Sequence, residues 1–202
     1  MMSFKVSKIK DLPVYDSLPV AKIVTYPLEK RDYRPFAQNI LCVSDDALHL
    51  RMWAFEVNPS PGSRLECVLY LFDDKPDTAL AIVAVPKIEE DSDILGCGLL
   101  KNGEELPATP EITEKLQSIV IHPHNGEDLQ GVYWGYAIDI PLRLLEEWGG
   151  KTQLSCGNKF PGNFYKICFD EPNIHMGCFY SADFSGNPYL PESCGEFEVV
   201  GY

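Results

Sequence analysis

Lys159-Phe160-Pro161-Gly162-Asn163-Phe164-Tyr165-Lys166-Ile167-Cys168, then Ile174-His175-Met176-Gly177-Cys178-Phe179, then Gly195-Glu196-Phe197-Glu198-Val199 are the three runs that decide the fold of this chain. Asn163, Tyr165, Lys166 and His175 fall within thirteen residues, interleaved with apolar positions and glycine. Each polar tip needs a partner if the strand that carries it is buried. The block is therefore either an internal hydrogen-bond lock or part of a ligand site. The residues alone leave both readings open.

Outward from that block the pattern is β. Residues 1–38, broken by Pro13, Pro19, Pro27 and Pro35, read as an extended lead-in packed on the domain, and 39–202 as the domain itself. Residues 39–43 are a short apolar run, Ser44-Asp45-Asp46-Ala47 is a turn, and 48–57 alternates. On that strand Leu48, Leu50, Met52 and Ala54 share one face, while His49, Arg51, Trp53 and Phe55 share the other. Further strands are expected at 65–72, 78–85 and 94–100, the last running into the hairpin signal Asn102-Gly103. Residues 116–121 pair with 132–140 across a long loop. Parity on the second of these turns Trp134 and Tyr136 to the core and Tyr133 to the opposite face with Asp139.

One helix is expected, Pro141-Leu142-Arg143-Leu144-Leu145-Glu146-Glu147-Trp148. Pro141 suits its first turn and Gly149-Gly150 its end. At about two turns it must pack on the sheet to persist. Strands at 152–155, 163–169 and 196–200 complete the set. Many short strands with turn signals and one short helix define an all-β chain, an antiparallel β-sandwich.

The chain has 202 residues, of which 45% are hydrophobic, enough to fill the core of one large β domain. Its 17 basic against 30 acidic residues give a net charge of −13. That charge repels phosphate backbones and anionic lipid, so neither nucleic acid nor membrane is expected as a partner. Neutral sugars are indifferent to it. The first ten residues lack the apolar core of a leader, and no run approaches membrane-spanning length. Seven cysteines without Cys-x-x-Cys spacing read as buried, reduced thiols of a cytoplasmic protein. Oligomeric state is not fixed, although 78–85 could form a sheet edge open to another chain.

The motifs exclude more than they assign. There is no Gly-x-Ser-x-Gly elbow, phosphate loop or His-Glu-x-x-His helix, so no catalytic residue is assigned. The enzyme reading that stays open is a glycan hydrolase or lyase using His175 with Tyr165 or a nearby acid. His122-Pro123-His124 lacks a third ligand at metal spacing, and no metal is assigned there. Glu89-Glu90-Asp91-Ser92-Asp93 could hold Ca²⁺ through oxygen ligands, but without EF-hand spacing it reads better as a solvated loop.

Gly162-Asn163-Phe164-Tyr165-Lys166, His175 and Ser193-Cys194-Gly195-Glu196-Phe197 together resemble the C-terminal signature of carbohydrate-binding family 9-like domains, relatives of the DOMON-type β-sandwiches. Leu50-Arg51-Met52-Trp53-Ala54-Phe55-Glu56 is similar to that family's early strand ending in Glu. Trp134-Gly135-Tyr136-Ala137-Ile138-Asp139-Ile140-Pro141 is similar to its strand leading into the short helix. The resemblance covers 39–202. It implies a non-catalytic module that binds a carbohydrate ligand weakly and needs no cofactor. Trp53, Tyr133 or Phe179 would stack on the sugar, with Arg51, Glu56, Asn163, Tyr165, Lys166 and His175 around it. Where the family often carries a tryptophan after the histidine, this chain has Met176-Gly177-Cys178-Phe179. Two alternatives stand beside this reading. One is an interaction sandwich in which Asn163, Tyr165 and His175 only close the fold. The other, through the DOMON relation, is haem held by His175, Met176 or Met52.

Overall fold

The computed structural model describes residues 2–32, 34–90 and 92–201. Fourteen strands run in chain order: β1 (Phe4–Lys8), β2 (Ala21–Ile23), β3 (Ala37–Val43), β4 (Ala47–Ala54), β5 (Ser63–Leu69), β6 (Thr78–Ala84), β7 (Leu95–Lys101), β8 (Glu104–Leu106), β9 (Val120–Pro123), β10 (Gly126–Asp128), β11 (Gly131–Pro141), β12 (Lys159–Cys168), β13 (His175–Cys178) and β14 (Gly195–Gly201). Two helices, α1 (Pro110–Lys115) and α2 (Leu142–Gly149), accompany them. The strands form one hydrogen-bonded sheet in the order β10-β11-β4-β3-β1-β14-β12-β5-β6-β7-β8, with β2 on β3, β9 on β11 and β13 on β12. It curls on itself, so that Leu48, Leu50 and Met52 of β4 share one core with Leu65, Cys67 and Leu69 of β5 and with Phe160, Phe164 and Phe197. The all-β sandwich read from the sequence is this structure.

The alternation behind that reading is visible strand by strand. The Leu48–Ala54 face of β4 is fully buried, and Trp134, Tyr136, Ile138 and Ile140 of β11 lie in the same core. β7 and β8 turn at Asn102 (φ 52°) and Gly103 (φ 77°), the left-handed pair that a tight hairpin needs. Gly162 of β12 is fixed by close approach, since a Cβ there would lie 2.8 Å from the Phe197 ring.

Several expectations change. Of the expected strand 152–155 only Thr152 pairs, in an isolated bridge to Phe72. Residues 1–38 supply strands of the sheet itself: β1 lies between β3 and β14 and is parallel to both, with Phe4 opposite Phe197 and Ser7 opposite Cys42. The sheet is therefore mixed at β1 and antiparallel elsewhere. A second helix, α1, starts at Thr109, whose hydroxyl accepts the Ile112 N–H at 3.3 Å with Pro110 in the first turn, a cap that its short apolar pattern conceals. Residues 116–118 extend it as a 3₁₀ turn, so only Val120–Pro123 of the expected strand 116–121 pairs with β11. Strand β6 lies between β5 and β7, and the exposed ends of the sheet path are β8 and β10. The seven cysteines are unbridged, but only Cys42, Cys67, Cys168 and Cys178 are buried as expected; Cys97 and Cys194 are half-buried and Cys156 is exposed.

Candidate functional site

The decisive block splits by parity into two faces of β12. Phe164 and Lys166 point into the core, whereas Asn163 and Tyr165 point out of it.

Lys166 is fully buried. Its ammonium lies 2.7 Å from Ser63 Oγ, 3.0 Å from His175 Nε2 and 3.2 Å from Glu56 Oε1. The cluster is consistent down to its protons. His175 Nδ1 is 2.7 Å from the Asn173 carbonyl, which can only accept, so Nδ1 carries the hydrogen and Nε2 is the acceptor for Lys166. Ser63 donates to Glu56 Oε2 at 2.7 Å, and Trp134 Nε1 donates to the same oxygen at 2.8 Å. The three ammonium hydrogens thus have three close acceptors, with the Ile167 carbonyl a fourth at 3.4 Å. Burial alone would raise the Glu56 carboxyl, but the Lys166 charge and these hydrogen bonds hold it below the usual carboxylate range. Burial lowers Lys166, with Glu56 opposing. Burial and the Lys166 charge together bring His175 down to about 4.

On the outer face, Asn163 is equally closed to solvent. Its amide donates to the carbonyls of Tyr180 (2.9 Å) and Ser193 (2.8 Å), and its Oδ1 accepts from the Tyr180 N–H (2.9 Å). Tyr165 donates to the Pro188 carbonyl at 2.5 Å, and Tyr70, the residue after β5, donates to that of Tyr189 at 2.6 Å. These bonds strap residues 180–193 across the outside of β12 and β5. Glu56, Asn163, Tyr165, Lys166 and His175 are therefore spent on internal partners. His175 and Tyr165 lie on opposite faces of the sheet, and the acid nearest the hydrolase or lyase reading, Glu56, shares the buried Lys166 ammonium with His175 inside the core. Of the three residues considered for haem, His175 faces Lys166, Met52 lies in the core and Met176 is partly buried on the outer face against the Tyr165–Ile167 cluster. Phe179 is half-buried in a ring cluster, 5.6 Å from Phe4 and 4.6 Å from Tyr180.

Arg51, Trp53 and Tyr133 do come together, outside β4 and β11. The Arg51 guanidinium is sandwiched 4.7 Å from the Tyr15 ring and 4.8 Å from the Trp53 ring, and pairs with Asp16 at 3.0 Å. His124 packs edge-on to Trp53 at 5.5 Å and lies 5.1 Å from Tyr133. The Trp53 face that would receive a sugar thus carries Arg51, and the indole is only 7% exposed. Among the described residues no group of three potential ligands is placed to hold a metal ion. Asp91 of the acidic run considered for Ca²⁺ lies outside the described residues.

A third region was not anticipated. On the outer face of β5–β7, cross-strand rows run Tyr165–Glu66–Val83–Gly96 and Asn163–Val68–Ala81–Gly98. The strap covers the β12 end of these rows. At the other end Val83, Ala81 and the two glycines form an apolar floor, and a Cβ at Gly98 would meet no atom within 4 Å. Glu66 stands where floor and strap meet. It is 3% exposed and accepts a hydrogen bond from the Tyr189 hydroxyl at 2.6 Å. Burial raises its carboxyl against that bond and the nearby Arg64 charge. Arg64, two residues back on the same face, lies 5.0 Å over the half-exposed Phe169 ring, and its Nε is buried without a partner among the described residues. The sequence signal for this face is the alternation Arg64-x-Glu66-x-Val68-x-Tyr70 against Gly96-x-Gly98.

No family model and no curated protein sequence matches the chain. Solved structures do. A protein of Bacteroides uniformis ATCC 8492, described as a candidate carbohydrate-binding protein, superposes over 98% of both chains with a TM-score of 0.71 at 14% identity. A carbohydrate-binding module of family 9 from Caldicellulosiruptor kristjanssonii, solved with cellotriose, covers 100% of this chain and 95% of its own with a TM-score of 0.64 at 13% identity. A family 9 module of the same organism solved with glucose gives 0.59 at 13% identity, over 98% of this chain and 96% of its own. The fold is that of carbohydrate-binding module family 9.

Proposed function

We propose that the protein is a carbohydrate-binding module whose saccharide lies on the outer face of β5–β7, against the floor of Ala81, Val83, Gly96 and Gly98. The observation that carries this reading is the pair Glu66 and Arg64. Both project from the sheet face that Gly96 and Gly98 leave open. Glu66 is 3% exposed under its one hydrogen-bond partner, the Tyr189 hydroxyl, which a ligand hydroxyl would replace. The Arg64 Nε, like that of Arg51, is buried and unbonded among the described residues. A pyranose offers what such a surface lacks: hydroxyls that donate to the carboxylate and accept from the guanidinium, and an apolar C–H face for the floor and flanking Tyr189 and Phe169 rings. The neighbours solved with cellotriose and glucose support the ligand class. Water competes for each hydroxyl and the floor is shallow, so the affinity expected is micromolar or weaker.

Calorimetric titration with glucose and cellotriose tests the proposal. Glu66→Gln should weaken binding by about tenfold or more, the scale of one hydrogen bond to a charged group. Trp53→Ala, on the other face, should leave it unchanged. The opposite pattern would move the site to the Arg51–Trp53–Tyr133 cluster, and no heat with either saccharide would remove this reading.

A further inference from the structure

Away from the proposed sugar face, at the β3–β4 turn, the fold assembles three side chains that no sequence motif links. His49 of β4 lies directly opposite Asp139 of β11 in the strand register. Its Nδ1 is 2.7 Å from Asp139 Oδ1, and its Nε2 is 3.0 Å from Ser44 Oγ. The carboxylate can only accept, so Nδ1 carries the hydrogen and Nε2 is the nearer of two acceptors for the serine hydroxyl, the other being the Ala47 carbonyl at 3.4 Å. The ring is 5% exposed and held in place, while Ser44 is half-buried in the turn. The turn N–H groups of Asp46 (3.3 Å) and Ala47 (3.1 Å) fix its oxygen. His49 and Asp139 line a cavity of about 670 Å³ with Asp45, Asp46, Ser118 and Arg143. The guanidinium of Arg143 has no ion pair or hydrogen bond among the described residues.

We propose that Ser44, His49 and Asp139 are a nucleophilic triad that cleaves small uncharged O-acyl esters docked in this cavity, whose lining holds His49, Asp139 and the Ser44 neighbours Asp45 and Asp46 but not Ser44 itself. A nucleophile, a base within hydrogen-bond reach and a third group orienting the base are the parts such chemistry requires. Ser44 Oγ bonds to the ester carbonyl carbon as His49 Nε2 takes its proton, and Asp139 holds the imidazolium that forms. The carbon–alkoxide bond then breaks, and the alcohol leaves with the proton from Nε2. Water attacks the acyl-serine by the same route, releasing the carboxylic acid and returning the proton to Ser44. Arg143 is the cation on the cavity wall for the developing oxyanion. The carboxylates Asp45, Asp46 and Glu146 beside it disfavour anionic esters.

The competing explanation is that Ser44 merely closes the turn, and two substitutions separate them. Ser44→Asn keeps an acceptor for the turn N–H groups but removes the nucleophile. Ser118→Ala alters the same cavity and leaves the triad intact. The full chain is incubated with a fluorophosphonate and analysed by intact mass, and 4-nitrophenyl acetate turnover is followed alongside. One phosphonyl adduct is expected on wild type and Ser118→Ala and none on Ser44→Asn, with ester turnover about 100-fold lower in Ser44→Asn and His49→Gln, the scale of a lost general base. Heat-denatured protein should not label. No adduct on folded wild type, or an adduct and turnover that persist in Ser44→Asn, would overturn the proposal.

Discussion

Glu56 and Glu66 are two buried glutamates ten residues apart in the chain, one inside the core and one on the outer face of β5, and their surroundings could hardly differ more. Glu56 is bonded by Ser63, Trp134 and Lys166. Glu66 has the Tyr189 hydroxyl, with Arg64 near but not paired. Hydrogen bonds and opposite charge hold the first carboxyl down, while burial pushes the second up. A buried carboxylate with all its partners inside the protein specifies the fold. In the proposed carbohydrate site Glu66, with the Tyr189 hydroxyl as its one hydrogen-bond partner, serves a ligand instead. Substitutions around Glu56 should therefore register as stability, and substitutions around Glu66 as binding.

The largest effect is expected at Lys166. Replacing it with Met leaves Glu56 buried and uncompensated, and should cost about 3–5 kcal/mol in urea unfolding. Adding Glu56→Leu should recover much of that loss, because the pair then becomes apolar rather than half-broken. If Lys166→Met alone proved neutral, the cluster would not be the lock described here.

Next comes acid stability. Below its ordinary value of 6.5 an unfolded His175 binds a proton, whereas the folded ring resists until about pH 4 because it is buried and its Nε2 already faces the Lys166 ammonium. The unfolded state thus holds more protons throughout that window, so stability falls as pH drops from 6.5 towards 4, by on the order of 3 kcal/mol. Glu56 adds a further loss at lower pH, as its depressed carboxyl is protonated. Denaturant unfolding of His175→Gln across the same range should show a flatter dependence than wild type.

How much of this was legible follows the range of the interactions. The alternation of β4, the inward rings of Trp134 and Tyr136 and the helix α2 are local patterns, and all appear where the sequence puts them. The Asn163–His175 block was equally visible as polar groups needing partners. That its partners are internal depends on Ser63, Glu56 and the 180–193 strap, which no spacing connects to it. Parallel β1 is a pairing of the chain's start with residues 197–201, which periodicity cannot register. The Glu66 face is the extreme case. Its floor is assembled from single residues on three strands, and its ring, Tyr189, is positioned by Asn163, Tyr165 and Tyr70 through backbone carbonyls.

The comparison is sharpest where stability should hardly move. Glu66→Gln removes a charge that burial disfavours while keeping an acceptor for Tyr189, so its unfolding free energy should stay within about 1 kcal/mol of wild type. Gly98→Val is smaller still. Its new Cβ meets no atom within 4 Å, and its backbone is ordinary strand, where a β-branched residue is favoured. Unfolding should be unchanged within about 0.5 kcal/mol or slightly improved, yet the added methyls stand on the floor that a pyranose would cover. Loss of glucose and cellotriose binding in a variant that unfolds like wild type would place the ligand on β5–β7. Full binding in Gly98→Val would mean that the open face is only a surface, and Glu66 a buried acid awaiting some other partner.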